Sequence, residues 1–259
     1  MERRSFMQAS VASALAAATT ATAADPERKS REHYELRGYS LKPGKLPQLD
    51  NYLGKAFIPT VKRYGLGPVG VFLDKASPDQ TKVYLLIVYP SADQCASLSA
   101  RLADDAEYRK LAADYLAAPA SDPVYTRIES SLLTAIDGMP KLEKPDTSKP
   151  RLFNLRVYES HNERAGKKKI EMFNKGELAI FRRVGLTPVL FGETVVGAAM
   201  PNLTYLLVFP DDEGRKAAWN RFREDPEWLK LKVIPEYADK EIVSRITNII
   251  LTPAAYSEL

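Results

Sequence analysis

Cysteine is nearly absent from this 259-residue sequence: Cys95 stands alone. There is therefore no intramolecular disulfide, no thiolate-built zinc site and no cysteine pair for redox work. Histidine is almost as scarce, with only His33 and His161, and neither stands in a metal-ligand spacing, so no metal site is expected. No Gly-x-Ser-x-Gly elbow, phosphate loop or dinucleotide fingerprint occurs. Gly65-Leu66-Gly67 lacks a third glycine and follows a helical pattern instead of opening one, so no cofactor is implied. Net charge is only +4, too little to imply a nucleic-acid partner. Disordered and collagen-like classes are excluded by 45% hydrophobic and 27% charged residues, a composition that suits one large soluble domain or two small ones.

The N-terminus reads as an address. Arg3-Arg4 precedes an alanine-rich run over 9–18 that ends in Ala21-Thr22-Ala23, a small-residue cleavage pattern. Residues 1–23 resemble a twin-arginine signal peptide, with a Sec-type leader as the alternative. The run is too short and too weakly hydrophobic to span a bilayer, so no transmembrane segment is expected in the mature chain. The expected location is periplasmic or extracellular. Residues 24–33 are a polar tether.

The rest of the chain is built twice. Lys62-Arg63-Tyr64-Gly65-Leu66-Gly67-Pro68-Val69 recurs as Arg182-Arg183-Val184-Gly185-Leu186-Thr187-Pro188-Val189. Each copy reads as a last helical turn with basic residues, a capping glycine, and then a strand. Strands are expected at 34–39, 69–73, 83–89 and 127–134, and again at 153–158, 189–193, 203–209 and 245–251. The first helical stripe runs from Leu46 to Tyr64, where Pro59 should kink it, and its counterpart runs from Ile170 to Val184. Ser91 and Gln94 have capping-box spacing, and Asp105 and Asp225 open later helices, the second with Pro226 at its first position. Residues 137–151, with three prolines among charges, form a linker between units at 34–136 and 152–259. The order strand, helix, strand, strand, helix, strand is the split βαβ arrangement of a ferredoxin-like unit. The expected fold is α+β, with two tandem units packing sheet to sheet as an intramolecular barrel-like pair.

The repeated Leu-Arg-x-Tyr of the first strands carries the chemistry. Tyr34 and Leu36 are expected to face the helices, leaving Glu35, Arg37 and Tyr39, with Arg156 and Tyr158 of the second copy, on the face between the sheets. Buried guanidinium and phenol groups need partners. A small acidic or phenolic ligand supplies them in one reading; Glu35, Glu129 and Asn248 supply them in the other. The candidate ligand-binding residues are thus Glu35, Arg37, Tyr39, Arg156, Tyr158 and Asn248. His161, beside Glu159, Asn162 and Glu163, is an acid–base candidate set against plain loop surface. Trp219, Phe222 and Trp228 read as core, Cys95 as a small buried helix residue, and Lys167-Lys168-Lys169 as a solvated helix start.

The second copy resembles the NIPSNAP family. The likeness is carried by Ile170-Glu171-Met172-Phe173-Asn174-Lys175-Gly176-Glu177, by residues 181–188, by Pro201-Asn202-Leu203-Thr204-Tyr205, by Asp225-Pro226-Glu227-Trp228 and by residues 246–251. The first copy keeps Tyr34-Glu35-Leu36-Arg37 and Lys42-Pro43-Gly44-Lys45, but has Tyr108 where the second has Trp228. The resemblance implies a tandem dimeric α+β barrel and supplies no catalytic residues. Three readings of function remain. The first is an exported ligand-binding or non-catalytic barrel. The second is a cofactor-independent oxygenase or isomerase with a pocket between the sheets and Tyr39, Tyr158 or His161 moving protons. The third is an assembly protein forming homo-oligomers through exposed sheet edges.

Overall fold

The computed structural model describes residues 30–259. The leader and all but the last four tether residues fall outside this range. The first unit comprises β1 (His33–Leu41), α1 (Leu46–Tyr52), α2 (Ile58–Arg63), β2 (Val69–Asp74), β3 (Lys82–Tyr89), α3 (Ala92–Asp104), α4 (Ala106–Leu111), α5 (Ala113–Leu116) and β4 (Tyr125–Ala135). The second comprises β5 (Leu152–Glu159), α6 (Glu163–Met172), α7 (Leu178–Val184), β6 (Thr187–Val196), β7 (Asn202–Phe209), α8 (Asp212–Glu224), α9 (Pro226–Leu231), α10 (Asp239–Ile242) and β8 (Arg245–Pro253).

The strands close into one antiparallel barrel in the order β1-β3-β2-β8-β5-β7-β6-β4. Each unit supplies four neighbouring strands with the same internal order. The units join at two short seams, where Leu73 faces Thr252 between β2 and β8, and Ala135 faces Gly192 between β4 and β6. At the second seam the backbones come close: a Cβ on Gly192 would sit 2.9 Å from that of Leu133. The C-terminal residues lock the first seam. Ser257 Oγ accepts from the Val71 amide at 3.0 Å, Glu258 Oε2 accepts from the Val69 amide at 2.8 Å, and Leu259 is fully buried in the barrel cluster.

The barrel interior is apolar and full. Tyr34, Phe72, Leu86, Leu133, Phe153, Leu155, Leu206 and Leu251 belong to one buried cluster, with the Phe72 and Phe153 rings 4.8 Å apart. The remaining void is about 10 Å³, space for no more than one water. This reverses the expected strand faces. Tyr34 and Leu36 point into the barrel, whereas Tyr39 packs in the cluster beneath the helices of the first unit and Tyr158 in that of the second. The reason is solvation: the closed interior has neither water nor a counter-charge for a guanidinium, while the helix side opens to solvent between its helices. A pocket between the sheets, expected in the oxygenase or isomerase reading, is excluded by the same packing.

Both first helices are interrupted by a widened turn, Leu53–Phe57 and Phe173–Glu177. In each, an amide bonds five residues back, Ile58 to Leu53 and Leu178 to Phe173. The second has no proline, so Pro59 does not cause the interruption. It occupies the first turn of the following helix, where its missing N–H is least needed. Gly185 ends α7 in the left-handed region at φ 85°, as its sequence position predicts. Asp105 and Asp225 cap α4 and α9 through the Tyr108 and Trp228 amides, whereas Ser91 starts α3 without a side-chain cap bond.

Candidate functional site

The register places the two copies of the strand motif in the same environment and lets them be compared atom by atom. In the first unit Arg37 faces Leu85 on β3 and Ser130 on β4; in the second Arg156 faces Tyr205 on β7 and Asn248 on β8. Glu35 and Asn154 occupy equivalent positions two residues earlier on their strands.

The first unit satisfies itself. Glu35 accepts from Nε and Nη2 of Arg37, the latter at 3.1 Å, from the Tyr89 hydroxyl at 2.8 Å and from Ser130 Oγ at 2.8 Å. Burial pushes the Glu35 carboxyl up, but Arg37, Tyr89 and Ser130 together hold it below the usual carboxylate range. Arg37 lies over the Phe57 ring, and Tyr39 packs edge-on against Tyr125 at 6.0 Å. Cys95 Sγ sits 3.8 Å from the same carboxylate, and burial, reinforced by Glu35, pushes its thiol up to about 11, which leaves it an inert donor. This is the internal polar network, with Glu35 as its anion. Glu129 is exposed and plays no part.

The second unit lacks that anion. Asn154 replaces the carboxylate and is itself fully engaged, accepting from Trp219 Nε1 at 3.2 Å and donating to Asn248 Oδ1 at 2.8 Å. Arg156 Nη1 donates to the same Asn248 oxygen at 3.3 Å, its guanidinium also interacts with the Tyr158 and Tyr205 side chains, and its Nε is buried with no partner among the described residues. The guanidinium stacks on Trp219 at 4.4 Å and lies 5.3 Å from the Tyr158 ring. It lines an open cleft of about 450 Å³ between β5, β8, α8 and α9, walled by Tyr158, Trp219, Phe222 and Trp228. Five cationic side chains line this cleft, Arg156, Arg215, Lys216, Arg223 and Lys232, against the carboxylate of Asp239; Arg215 and Lys216 also pair with Asp212 beside it. Trp219, Phe222 and Trp228 are thus core residues, as expected, whose outer edges also wall a cleft.

Behind the cleft lies a second polar group. The Tyr205 hydroxyl donates to that of Tyr158 at 2.9 Å. Lys169 and Glu177, side chains 1% and 2% exposed, pair at 2.8 Å, and the Lys169 ammonium lies 5.2 Å from the Tyr158 ring centroid. Lys169 therefore departs from its two neighbours: Lys167 and Lys168 reach Glu193 and Glu236 at the surface, while helical periodicity turns Lys169 inward. Sequence reasoning missed Lys169, Glu177 and Tyr205. The one signal available was the repeat itself, since the first copy has Leu49, Phe57 and Leu85 at these positions.

His161 is exposed and belongs to a separate surface cleft of about 480 Å³ with Arg164, Lys168, Glu236 and Glu241. It does not join Arg156 or Tyr158 in their cleft. His33 is on the other unit, where burial lowers its pKa. Among the described residues no helix is long and apolar enough to cross a membrane.

Fold and site together define a dimeric α+β barrel folded within one chain, with a helix-side cleft in its second half. The NIPSNAP family profile matches residues 34–134 and again 153–258, and the chain belongs to the NIPSNAP family. No curated protein matches it. Solved structures share the barrel. A protein provisionally named a monooxygenase from Lactobacillus acidophilus is 11% identical, with 86% of this chain and 94% of that one covered at a TM-score of 0.57. A second of that name from Fusobacterium nucleatum is 11% identical, covering 86% and 93% at a TM-score of 0.59. An anthrone oxidase-like protein is 8% identical, covering 88% and 92% at 0.51.

Proposed function

We propose that this chain binds a small organic acid in the helix-side cleft of its second unit, with the ligand carboxylate on Arg156 and an apolar or aromatic body against Trp219, Trp228 and Tyr158. The observation that carries this reading is that Arg156 lines the cleft with no carboxylate partner among the described residues, at the place where Arg37 holds Glu35. A guanidinium presents a fork of donors that matches a carboxylate, and the first unit displays that match with an internal partner. The cationic rim would draw anions toward the cleft. Coupled to the export address in residues 1–23, the reading is of an exported binding protein. The oxygenase names of the fold neighbours belong to proteins about one-tenth identical, and they support the barrel alone.

Calorimetry and thermal shift with benzoate and phenylacetate, against benzamide as the uncharged counterpart, test the reading. The acids should bind and the amide should not. Arg156→Gln should weaken acid binding by about 10- to 100-fold, the worth of a charge-assisted bond. An Arg156→Gln protein that binds benzoate like the wild type, or a wild type that binds no aromatic acid, refutes it.

A further inference from the structure

The duplication supplies an internal control for the polar group behind the cleft. The first unit builds the same strands and the same interrupted helix with Leu49, Phe57 and Leu85, each fully buried. The second has Lys169, Glu177 and Tyr205 there, also buried, at 1%, 1% and 0% exposure. The fold does not require these charges, and burying an ion pair where apolar side chains suffice is unfavourable. Lys169 and Tyr205 meet Tyr158, and Glu177 pairs with Lys169 behind it.

Tyr158 is the one member of this group that lines the cleft. Its oxygen accepts from Tyr205, so its own proton is directed to another acceptor. Two cations flank its ring, the Arg156 guanidinium at 5.3 Å and the Lys169 ammonium at 5.2 Å from the centroid. Negative charge developing on Tyr158 is therefore met by the Arg156 cation and by the Tyr205 hydrogen bond already in place. Glu177 balances Lys169 and is itself faced by Arg156, Asp239 and Tyr205.

Resting on the binding reading above, we propose that the cleft is a proton-transfer site for an aromatic 2-oxo acid, with Tyr158 exchanging a proton with the ligand's carbonyl oxygen. Arg156 takes the carboxylate, the aromatic walls take the ring, and the carbonyl beside the carboxylate meets the Tyr158 hydroxyl. In the forward step a water removes a proton from the carbon next to the carbonyl. The C–H electron pair becomes the C=C bond of the enol, and the C=O π pair takes the Tyr158 proton. Tyr158 is left as phenolate and the water as hydronium. Return of that proton to Tyr158 completes a keto–enol isomerisation with no oxidant or reductant. Lys169, Glu177 and Tyr205 are positioning residues.

The probe is phenylpyruvate in D2O with the full chain, reading loss of its methylene proton signal by NMR. The wild type should exchange these protons well above the buffer rate. Tyr158→Phe should slow exchange about a hundredfold, with affinity kept within about threefold. Lys169→Leu with Glu177→Phe installs the residues of the first unit, so the fold is preserved. It should slow exchange and displace its pH profile, whereas Lys169→Arg with Glu177 left in place should keep both as in the wild type. Benzoate and phenylpyruvate binding without exchange overturns this inference and leaves the binding reading standing. A Tyr158→Phe protein that exchanges like the wild type also overturns it. Failure of every aromatic acid to bind overturns both.

Discussion

Replacing Asn154 with Glu would give the second unit the internal anion that the first unit carries. The strand register is the same in both, so a carboxylate at 154 would meet Arg156 as Glu35 meets Arg37. Each hydrogen bond to a charged group contributes about 1.5–3 kcal/mol. Against this stands loss of the Asn154 bond to Asn248, about 0.5–1.5 kcal/mol, while Trp219 Nε1 has an acceptor in either case. Two hydroxyls are missing from the copy, since Phe209 stands where Tyr89 does and Asn248 where Ser130 does, so the full first-unit network is not reproduced. The net expectation is a gain of about 1 kcal/mol, which raises Tm by about 2–4 °C for a chain of this size. A ligand carboxylate must then displace the internal one, so Kd for benzoate rises about 10- to 100-fold. Calorimetry for binding and urea unfolding for stability read both numbers from one preparation. Loss of binding by a protein that is no less stable cannot be attributed to misfolding. An Asn154→Glu chain that binds benzoate as tightly as the wild type would show that Arg156 is not the anion's partner.

Other expectations follow from the same contacts. Glu35→Gln leaves Arg37 without its counter-charge and should cost about 3–5 kcal/mol in urea unfolding at neutral pH. Because the folded Glu35 carboxyl is held below its ordinary value, its contribution is present above the unfolded pKa and lost as pH falls through the folded one. The gap between wild type and variant should therefore be constant from pH 7 to about 5 and narrow below that by about 1.4 kcal/mol per pH unit until the folded carboxyl is protonated. A gap at pH 3 as wide as at pH 7 would mean that Glu35 stabilises by packing alone. Lys169→Leu by itself should cost about 3–5 kcal/mol by stranding Glu177, whereas adding Glu177→Phe should return stability to wild type or above. A double variant no better than the single would refute the internal-control argument. Deleting residues 257–259 removes the buried Leu259, worth about 1.5–3 kcal/mol, and strips the Val69 and Val71 amides of acceptors. Unfolding at an unchanged urea midpoint would refute the role of the tail as a clasp on the first seam.

Much of the architecture was legible in local signals. The basic-Gly-Leu-x-Pro-Val stretch marked the duplication because a helix end is a local event: cations complement the last turn and glycine takes the left-handed cap, as Gly185 does. Asp105 and Asp225 were readable for the same reason. The widened turns were not, since nothing in Leu53–Phe57 or Phe173–Glu177 demands a five-residue hydrogen bond. Pro59 offered a false cause. The candidate residues Arg37, Tyr39, Arg156 and Tyr158 were found by their repetition, Glu35 by sharing a strand face with Arg37, and Asn248 by its place on another strand. Period-two alternation tells which residues share a face of a strand, and here both faces are covered, so it cannot say which cover lies on which side.

By itself, then, the chain's sequence determined two copies of one α+β unit, the strands that carry an arginine and a tyrosine, and the family. Only the closed barrel decided where those side chains go. Eight strands enclose a space too small and too apolar for a guanidinium, and this sends Arg37 and Arg156 to the helix side. There, groups from distant parts of the chain determine their fate. Glu35, Tyr89 and Ser130 close the first site, while Asn154 leaves the second open, with Lys169, Glu177 and Tyr205 behind it. Hydrogen-bond saturation is a property of assembled neighbours, and no spacing along one strand encodes it.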